Sequence, residues 1–227
     1  MKNFKREVDI LNSLNNPYII KLYKVLDGKT TLNLVMEYIG SNSLYAFLKS
    51  KSSRKINEEE AKHIFYQIME GIKYLHHMNT VHRDIKLENL LIDDFKNIKI
   101  IDFGFAIKVF TGKKLGSFCG TPSYMAPEIA GKKEYFGQPV DIWSCGVLLY
   151  VLICGQFPFK GSCEQELYKK IIDGRFEFPQ YVSNQARNLI SQMLNVFPEE
   201  RPDANQVLRN SWFININQQI NSNNQQI

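Results

Sequence analysis

The chain is 227 residues long and is poor in the features that mark specialised classes. Its four cysteines, Cys119, Cys145, Cys154 and Cys163, form no C-x-x-C pair. No histidine cluster stands beside them at zinc spacing, which argues against a zinc module or a disulfide scaffold. Lys+Arg outnumber Asp+Glu by 28 to 23, yet no basic block is long enough to serve as a nucleic-acid arm. The excess reads as a solvated surface with a mild bias toward phosphate-bearing ligands. The most apolar stretch, Ile142 to Gly155, is broken by Ser144 and Gly146 and is too short to span a bilayer, so it reads as a buried core helix. The start, MKNFKREVDIL, lacks the apolar segment of a signal peptide. These absences lead us to expect reduced thiols, a cytoplasmic or nuclear location, and neither nucleic acid nor membrane as partner. What is present, 44% hydrophobic and 22% charged residues, suits one sizeable globular domain.

Periodicity gives the elements. Phe4, Val8, Leu11 and Leu14 predict an amphipathic helix over 3–15, ended by Asn15-Asn16-Pro17. Leu22–Val25 and Leu32–Tyr38 read as strands around the turn signal Asp27-Gly28. A short helix follows over Ser43–Lys49. Asn57 is a good N-cap with Glu58, Glu59 and Glu60 behind it, and Ile64, Phe65, Ile68, Met69, Ile72 and Leu75 form the apolar stripe. Asn89–Ile92 and Ile98–Ile101 predict a hairpin. Asp102 to Glu128 has no strong period, and an irregular segment of that length is often functional. Helices are expected over 140–154, 164–173, 184–195 and 203–210, and the Asn/Gln-rich end reads as disordered.

The chemistry concentrates around the hairpin. His82-Arg83-Asp84-Ile85-Lys86-Leu87-Glu88-Asn89 precedes it and Asp102-Phe103-Gly104 follows it. A hairpin returns the chain to its start, so Asp84, Lys86, Asn89 and Asp102 are expected around one point. Phosphoryl transfer needs such a set: Asp84 to orient a hydroxyl and take its proton, Asn89 and Asp102 as hard-oxygen ligands of Mg²⁺, Lys86 to offset phosphoryl charge. A D-F-G tripeptide alone carries little weight. H-R-D-x-x-x-x-N, then D-F-G, then Ala126-Pro127-Glu128, in order, is specific.

With these motifs the sequence resembles the eukaryotic protein kinase family from Met1 to about Phe213. HRDIKLEN looks like a catalytic loop, and GSFCGTPSYMAPE like the end of an activation segment. Lys86 with Gly120-Thr121-Pro122 resembles the Ser/Thr branch. HRDIKLENLLID, CGTPSYMAPEI and PVDIWSCGVLLYVLICGQFPF are similar to the calcium/calmodulin-dependent kinase group, with its AMP-activated-kinase-like branch matching best. The resemblance implies an α+β, two-lobe fold: 1–39 as the remnant of the smaller lobe, 40–213 as the helical lobe, 214–227 as a tail. It implies a Ser/Thr protein kinase using ATP and Mg²⁺ on protein substrates. Asp84 would be the base, Lys86 its neighbour, and Thr121 would bond to that pair. Glu37, Ile39, Glu88 and Leu91 would border the nucleotide, with Met36 as gatekeeper and Tyr38 in the hinge. Glu7 would face the nucleotide-positioning lysine. Leu11, Leu22, His82 and Phe103 would form the internal spine. Arg83 would face a phosphate on Ser117, placed there by an upstream kinase; an ordinary loop serine is the competing reading, and Thr111 and Thr121 are competing acceptors. Glu128 with Arg201 would tie the activation segment down, and Asp141 with Trp143 would support the catalytic loop. Phe118, Pro122 and Met125 would favour an apolar residue after the phosphoacceptor. Glu88 would attract a basic residue upstream of it, while Ser43 and Val151 stand where strongly Arg-directed relatives are acidic.

One departure is large. No two glycines are spaced as in G-x-G-x-x-G, and no strand lysine precedes Glu7; Lys2 and Lys5 share its predicted helix. This supports two expectations, a fragment of an ordinary kinase or a short, non-catalytic scaffold. A metal-dependent hydrolase built on His82, Asp84 and Asp102 is a third, but it leaves Lys86, Asn89 and the A-P-E segment without a role.

Overall fold

The computed structural model describes residues 2–28, 31–40, 42–110 and 112–214. Thr111 and the Asn/Gln tail from 215 onward lie outside the described residues. The elements in order are α1 Lys2–Asn12, β1 Leu22–Asp27, β2 Leu32–Met36, α2 Leu44–Ser50, α3 Glu58–His77, β3 Thr80–Val81, β4 Leu90–Ile92, β5 Ile98–Ile100, β6 Ile107–Lys108, α4 Pro127–Ala130, α5 Gly137–Cys154, α6 Glu164–Asp173, α7 Asn184–Met193 and α8 Ala204–Leu208.

Two helices organise the core. The α3 stripe is fully buried, and its N-terminus is fixed twice. Asn57 Oδ1 accepts from Glu60 N at 2.8 Å, satisfying one of the free N–H groups of the first turn. The Glu58 carboxylate accepts from Ser183 N and Oγ and from Trp212 Nε1 at 2.8, 2.7 and 3.1 Å. Burial works against that carboxylate, but the Ser183 and Trp212 bonds outweigh it and hold its pKa below the ordinary value. Asn57→Ala is expected to cost about 1 kcal/mol, read from urea unfolding. The second helix, α5, is apolar all round because it is buried all round, and it stops at Gly155, whose φ of 71° places it in the left-handed region.

Among the described residues, three two-stranded sheets, all antiparallel, complete the fold. In β4/β5, Leu90 pairs with Ile100 and Ile92 with Ile98. Asp93 builds the intervening turn by accepting from Phe95 N and Asn97 N. The β3/β6 pair sets Thr80 against Lys108 and Val81 against Ile107. Sequence periodicity cannot register strands this short, and neither is foreseen by it.

Some elements differ from expectation. Helix α1 ends at Asn12, where Ser13 Oγ bonds back to Ile10 O at 2.7 Å, while Asn16 turns the chain by accepting from Tyr18 N. The second strand stops at Met36, although Glu37 N still donates to Lys21 O. The β1/β2 ribbon also has no buried face. Leu22, Val25 and Leu34 are partly covered, while Tyr23, Leu26, Leu32, Val35 and Met36 are exposed.

Candidate active site

Two short pairings bring the chemical residues together. The β3/β6 pair holds the chain entering His82 beside the chain leaving Gly104. At the base of the β4/β5 hairpin, Ile101 N donates to Asn89 O at 2.9 Å, which sets Asp102 one residue away from Asn89's partner.

Asp141, fully buried on α5, fixes the loop between them. Its Oδ1 accepts from Arg83 N at 2.8 Å, and its Oδ2 from His82 N and His76 Nε2, each at 3.0 Å. A carboxylate only accepts, so His76 carries a proton on Nε2. Burial opposes ionisation of Asp141, but the His76 and His82 interactions outweigh it and hold its pKa below the ordinary carboxylate value. His82 is held at both ring nitrogens. Its Nε2 donates to Ile101 O at 3.0 Å and its Nδ1 accepts from Asp84 N at 3.3 Å. Its ring meets Phe103 edge-on with centroids 5.0 Å apart, and Leu11, His82 and Phe103 are all buried.

Asp84, held by this frame, is the centre of a closed hydrogen-bond group. Thr121 Oγ1 donates to Asp84 Oδ1 at 2.7 Å. Lys86 Nζ donates to Asp84 Oδ2 at 2.6 Å and to Thr121 Oγ1 at 2.9 Å. Asn89 Nδ2 donates to Asp84 O at 2.9 Å and to Oδ2 at 3.0 Å. Three residues from two parts of the sequence thus converge on one carboxylate. Asp102 comes near without joining the group. It adopts the left-handed backbone, with φ of 62°, and its Oδ1 accepts from Gly104 N at 3.2 Å. Its charge is felt by Glu7, whose pKa is raised first by burial and then by Asp102. Among the described residues Glu7 has no ion pair, and the neighbouring Arg6 guanidinium donates instead to Gly104 O at 3.3 Å.

The hard-oxygen donors that Mg²⁺ prefers are present: Asn89 spends its amide nitrogen on Asp84, which leaves its carbonyl oxygen available, and Asp102 keeps Oδ2. No group of three or more His, Cys, Asp or Glu arranged for a metal occurs among the described residues, so a metal here would take its remaining ligands from phosphate and water.

The other anticipated residues fall as follows. Arg83, also left-handed at φ 68°, donates through Nε to Phe105 O at 2.8 Å and through a terminal nitrogen to Ser117 Oγ at 2.5 Å. Glu128 and Arg201 form a two-pronged ion pair at 2.8 and 2.7 Å. The Arg201 guanidinium lies 5.0 Å from the Trp143 ring centroid. Glu37 is bound to Lys99 Nζ at 2.8 Å, and Leu91 and Ile39 are half-buried. Met36 and Tyr38 are exposed. Phe118 meets Tyr168 edge-on, and Met125 is buried.

Tyr135 is the contributor that motif reasoning misses. Its hydroxyl donates to Ser117 O at 2.9 Å and lies 3.4 Å from both Ser117 Oγ and an Arg83 nitrogen. Its backbone bridges Leu115 in both directions, at 2.8 and 2.9 Å. An aromatic residue seven places past an A-P-E carries no sequence signal of its own. Tyr135→Phe is expected to cost about 1 kcal/mol, read from urea unfolding, and to speed amide exchange over 115–117.

Comparison with known proteins agrees with this geometry. The protein kinase domain model matches residues 1–213. The chain is 41% identical over 212 residues to the serine/threonine-protein kinase SIK2 of Gallus gallus, covering 93% of this chain and 26% of that protein. It is 42% identical over 211 residues to the SNF1-related protein kinase catalytic subunit alpha KIN12 of Arabidopsis thaliana, covering 93% of this chain and 42% of that one. The chain therefore spans less than half the length of either relative. Both stand in the AMP-activated-kinase-like branch that the motifs resemble. A match over nearly the whole chain, with the Asp84 group and the Glu128–Arg201 pair in place, makes this chain a member of the protein kinase domain family.

Proposed function

We propose that this chain carries the phosphoryl-transfer site of a Ser/Thr protein kinase, with Asp84 as base. The single observation behind this is the saturation pattern of the Asp84 carboxylate. An ionised carboxylate has about four lone-pair positions, two on each oxygen. Lys86 and Asn89 fill those of Oδ2, and Thr121 fills one on Oδ1. The remaining position on Oδ1 is where a substrate hydroxyl would donate, so that atom would take the proton as the hydroxyl oxygen bonds to the γ-phosphorus of ATP and the bond from that phosphorus to the β–γ bridging oxygen breaks, releasing ADP. Lys86 has three N–H donors and spends two, on Asp84 and Thr121. The third is free for a phosphoryl oxygen. Mg²⁺ held by the Asn89 carbonyl oxygen and the Asp102 carboxylate would neutralise phosphate charge, and it would relieve the repulsion that raises the Glu7 pKa.

Ser117 already sits on Arg83 and Tyr135, so an upstream kinase adding a phosphate there would place about −2 charge against a guanidinium and order the segment. Free thiols at all four cysteines fit a reducing, intracellular setting. The second reading, a non-catalytic scaffold, rests on one observation: Glu7 has no ion pair among the described residues.

The test is transfer of labelled phosphate from ATP to a Ser/Thr peptide by the chain joined to the glycine-rich strands of a relative. We expect Mg²⁺-dependent turnover that Asp102→Ala removes without moving the thermal midpoint. Turnover retained in Asp102→Ala refutes the metal role. No turnover at any Mg²⁺ concentration favours the scaffold.

A further inference from the structure

Tyr135, which holds the segment that carries Ser117, also lines an open groove of about 820 Å³. It contains none of Asp84, Lys86, Asn89 or Asp102. Four large apolar side chains line it and remain exposed: Phe110 at 73%, Phe136 at 44%, Ile172 at 49% and Phe197 at 56%. They come from four separate parts of the sequence, so their convergence is a product of the fold. Apolar surface gathered in this way on a soluble domain marks an interaction site.

The polar groups decide what fits. Lys113, Lys114 and Lys133 line the groove, and none has a carboxylate within ion-pair distance among the described residues. Lys114 instead lies over the Phe136 ring, 5.5 Å from its centroid. Three carboxylates also line it. Glu128 is neutralised by Arg201, which leaves Glu134 and Glu199 against three lysines.

We propose that this groove docks a segment of a partner protein in which acidic residues flank a bulky apolar side chain. The apolar residue would cover the phenylalanines, and the carboxylates would reach the unpaired ammonium groups. A second copy of the chain is disfavoured by its net charge of +5, and the Asn/Gln tail holds no Asp or Glu. Tyr135 lines the groove and also bridges Leu115 and holds Ser117, so an occupant rests against the support of the activation segment. The proposal does not depend on catalysis.

The test is fluorescence anisotropy with a pool of short labelled peptides, Asp or Glu at the outer positions and Phe, Leu or Trp at the centre. Controls replace the acids by Lys or the central residue by Ser. Saturable binding is expected, lost in both controls. It should weaken about tenfold in Lys113→Glu/Lys114→Glu and in Phe197→Ser, and be unchanged in Lys49→Glu on α2. Circular dichroism confirms that each variant is folded. The proposal is overturned if no acidic peptide saturates the protein, if the Lys-substituted pool binds equally, or if the groove substitutions leave affinity unchanged. Sedimentation showing a dimer that these same substitutions dissociate would assign the groove to a second copy and overturn it equally.

Discussion

Asp84→Asn is expected to lower turnover in the reconstituted kinase by about 10²–10⁴-fold, the range for loss of a positioned general base. The substitution keeps the shape of the side chain. Thr121 can still donate to an amide oxygen, and His82 Nδ1 still accepts from the backbone N–H at position 84. What disappears is the negative charge that holds Lys86 and the basicity that draws the substrate proton. Peptide KM should therefore change little while kcat collapses, since the interaction lost matters most in the transition state. A variant that kept wild-type kcat would remove Asp84 from the mechanism. A variant that lost both activity and fold would be a different result, and a thermal scan separates the two.

Arg201→Ala should give the largest stability loss. Arg201 donates to both Glu128 oxygens, to Pro139 O and to Asn195 O, the last two at 3.0 and 2.8 Å. Glu128 is buried, so truncating its partner leaves an uncompensated charge in the interior, at a cost of about 3–5 kcal/mol. The double variant Glu128→Ala/Arg201→Ala should cost less than the sum of the two single changes, because it removes the stranded charge together with its partner. Urea unfolding of the three variants supplies the cycle. Additive losses would mean the pair is not a coupled unit. The wild-type pair is better understood as a clamp than as a source of net stability, since a buried ion pair recovers little beyond its own desolvation.

Much of the site was legible before the structure because its residues are close in sequence. His82 to Asn89 spans a single loop, and the β4/β5 hairpin that returns Asp102 is announced by two short β runs, Asn89–Ile92 and Ile98–Ile101. Glu128–Arg201 and Arg83–Ser117 came from family resemblance alone, since nothing local in either residue specifies a distant partner. The parts not legible are those set by packing. His76 is an ordinary helix residue until α5 brings Asp141 within 3.0 Å. Strands β3 and β6 are two residues each, below the length at which alternation means anything. The strands read at Leu22–Val25 and Leu32–Tyr38 form a ribbon that the fold leaves without a buried face, because coverage of a sheet depends on a second layer and a strand's own pattern does not encode it.

That uncovered ribbon has a further consequence. With Val25 and Leu34 its paired and only partly sheltered apolar residues, β1/β2 gains little from burial and rests mainly on its own ladder. Its base is moored, through Glu37 to Lys99 and through Ile20 N to Ile100 O, while its tip has no such mooring among the described residues. Opening of the ribbon therefore has its own free energy, smaller than that of the helical core, and the two need not melt together. Glu37 and Ile39, the residues that would border adenine, stand at the seam between these two tiers, so the nucleotide edge can loosen while the Asp84 group stays intact.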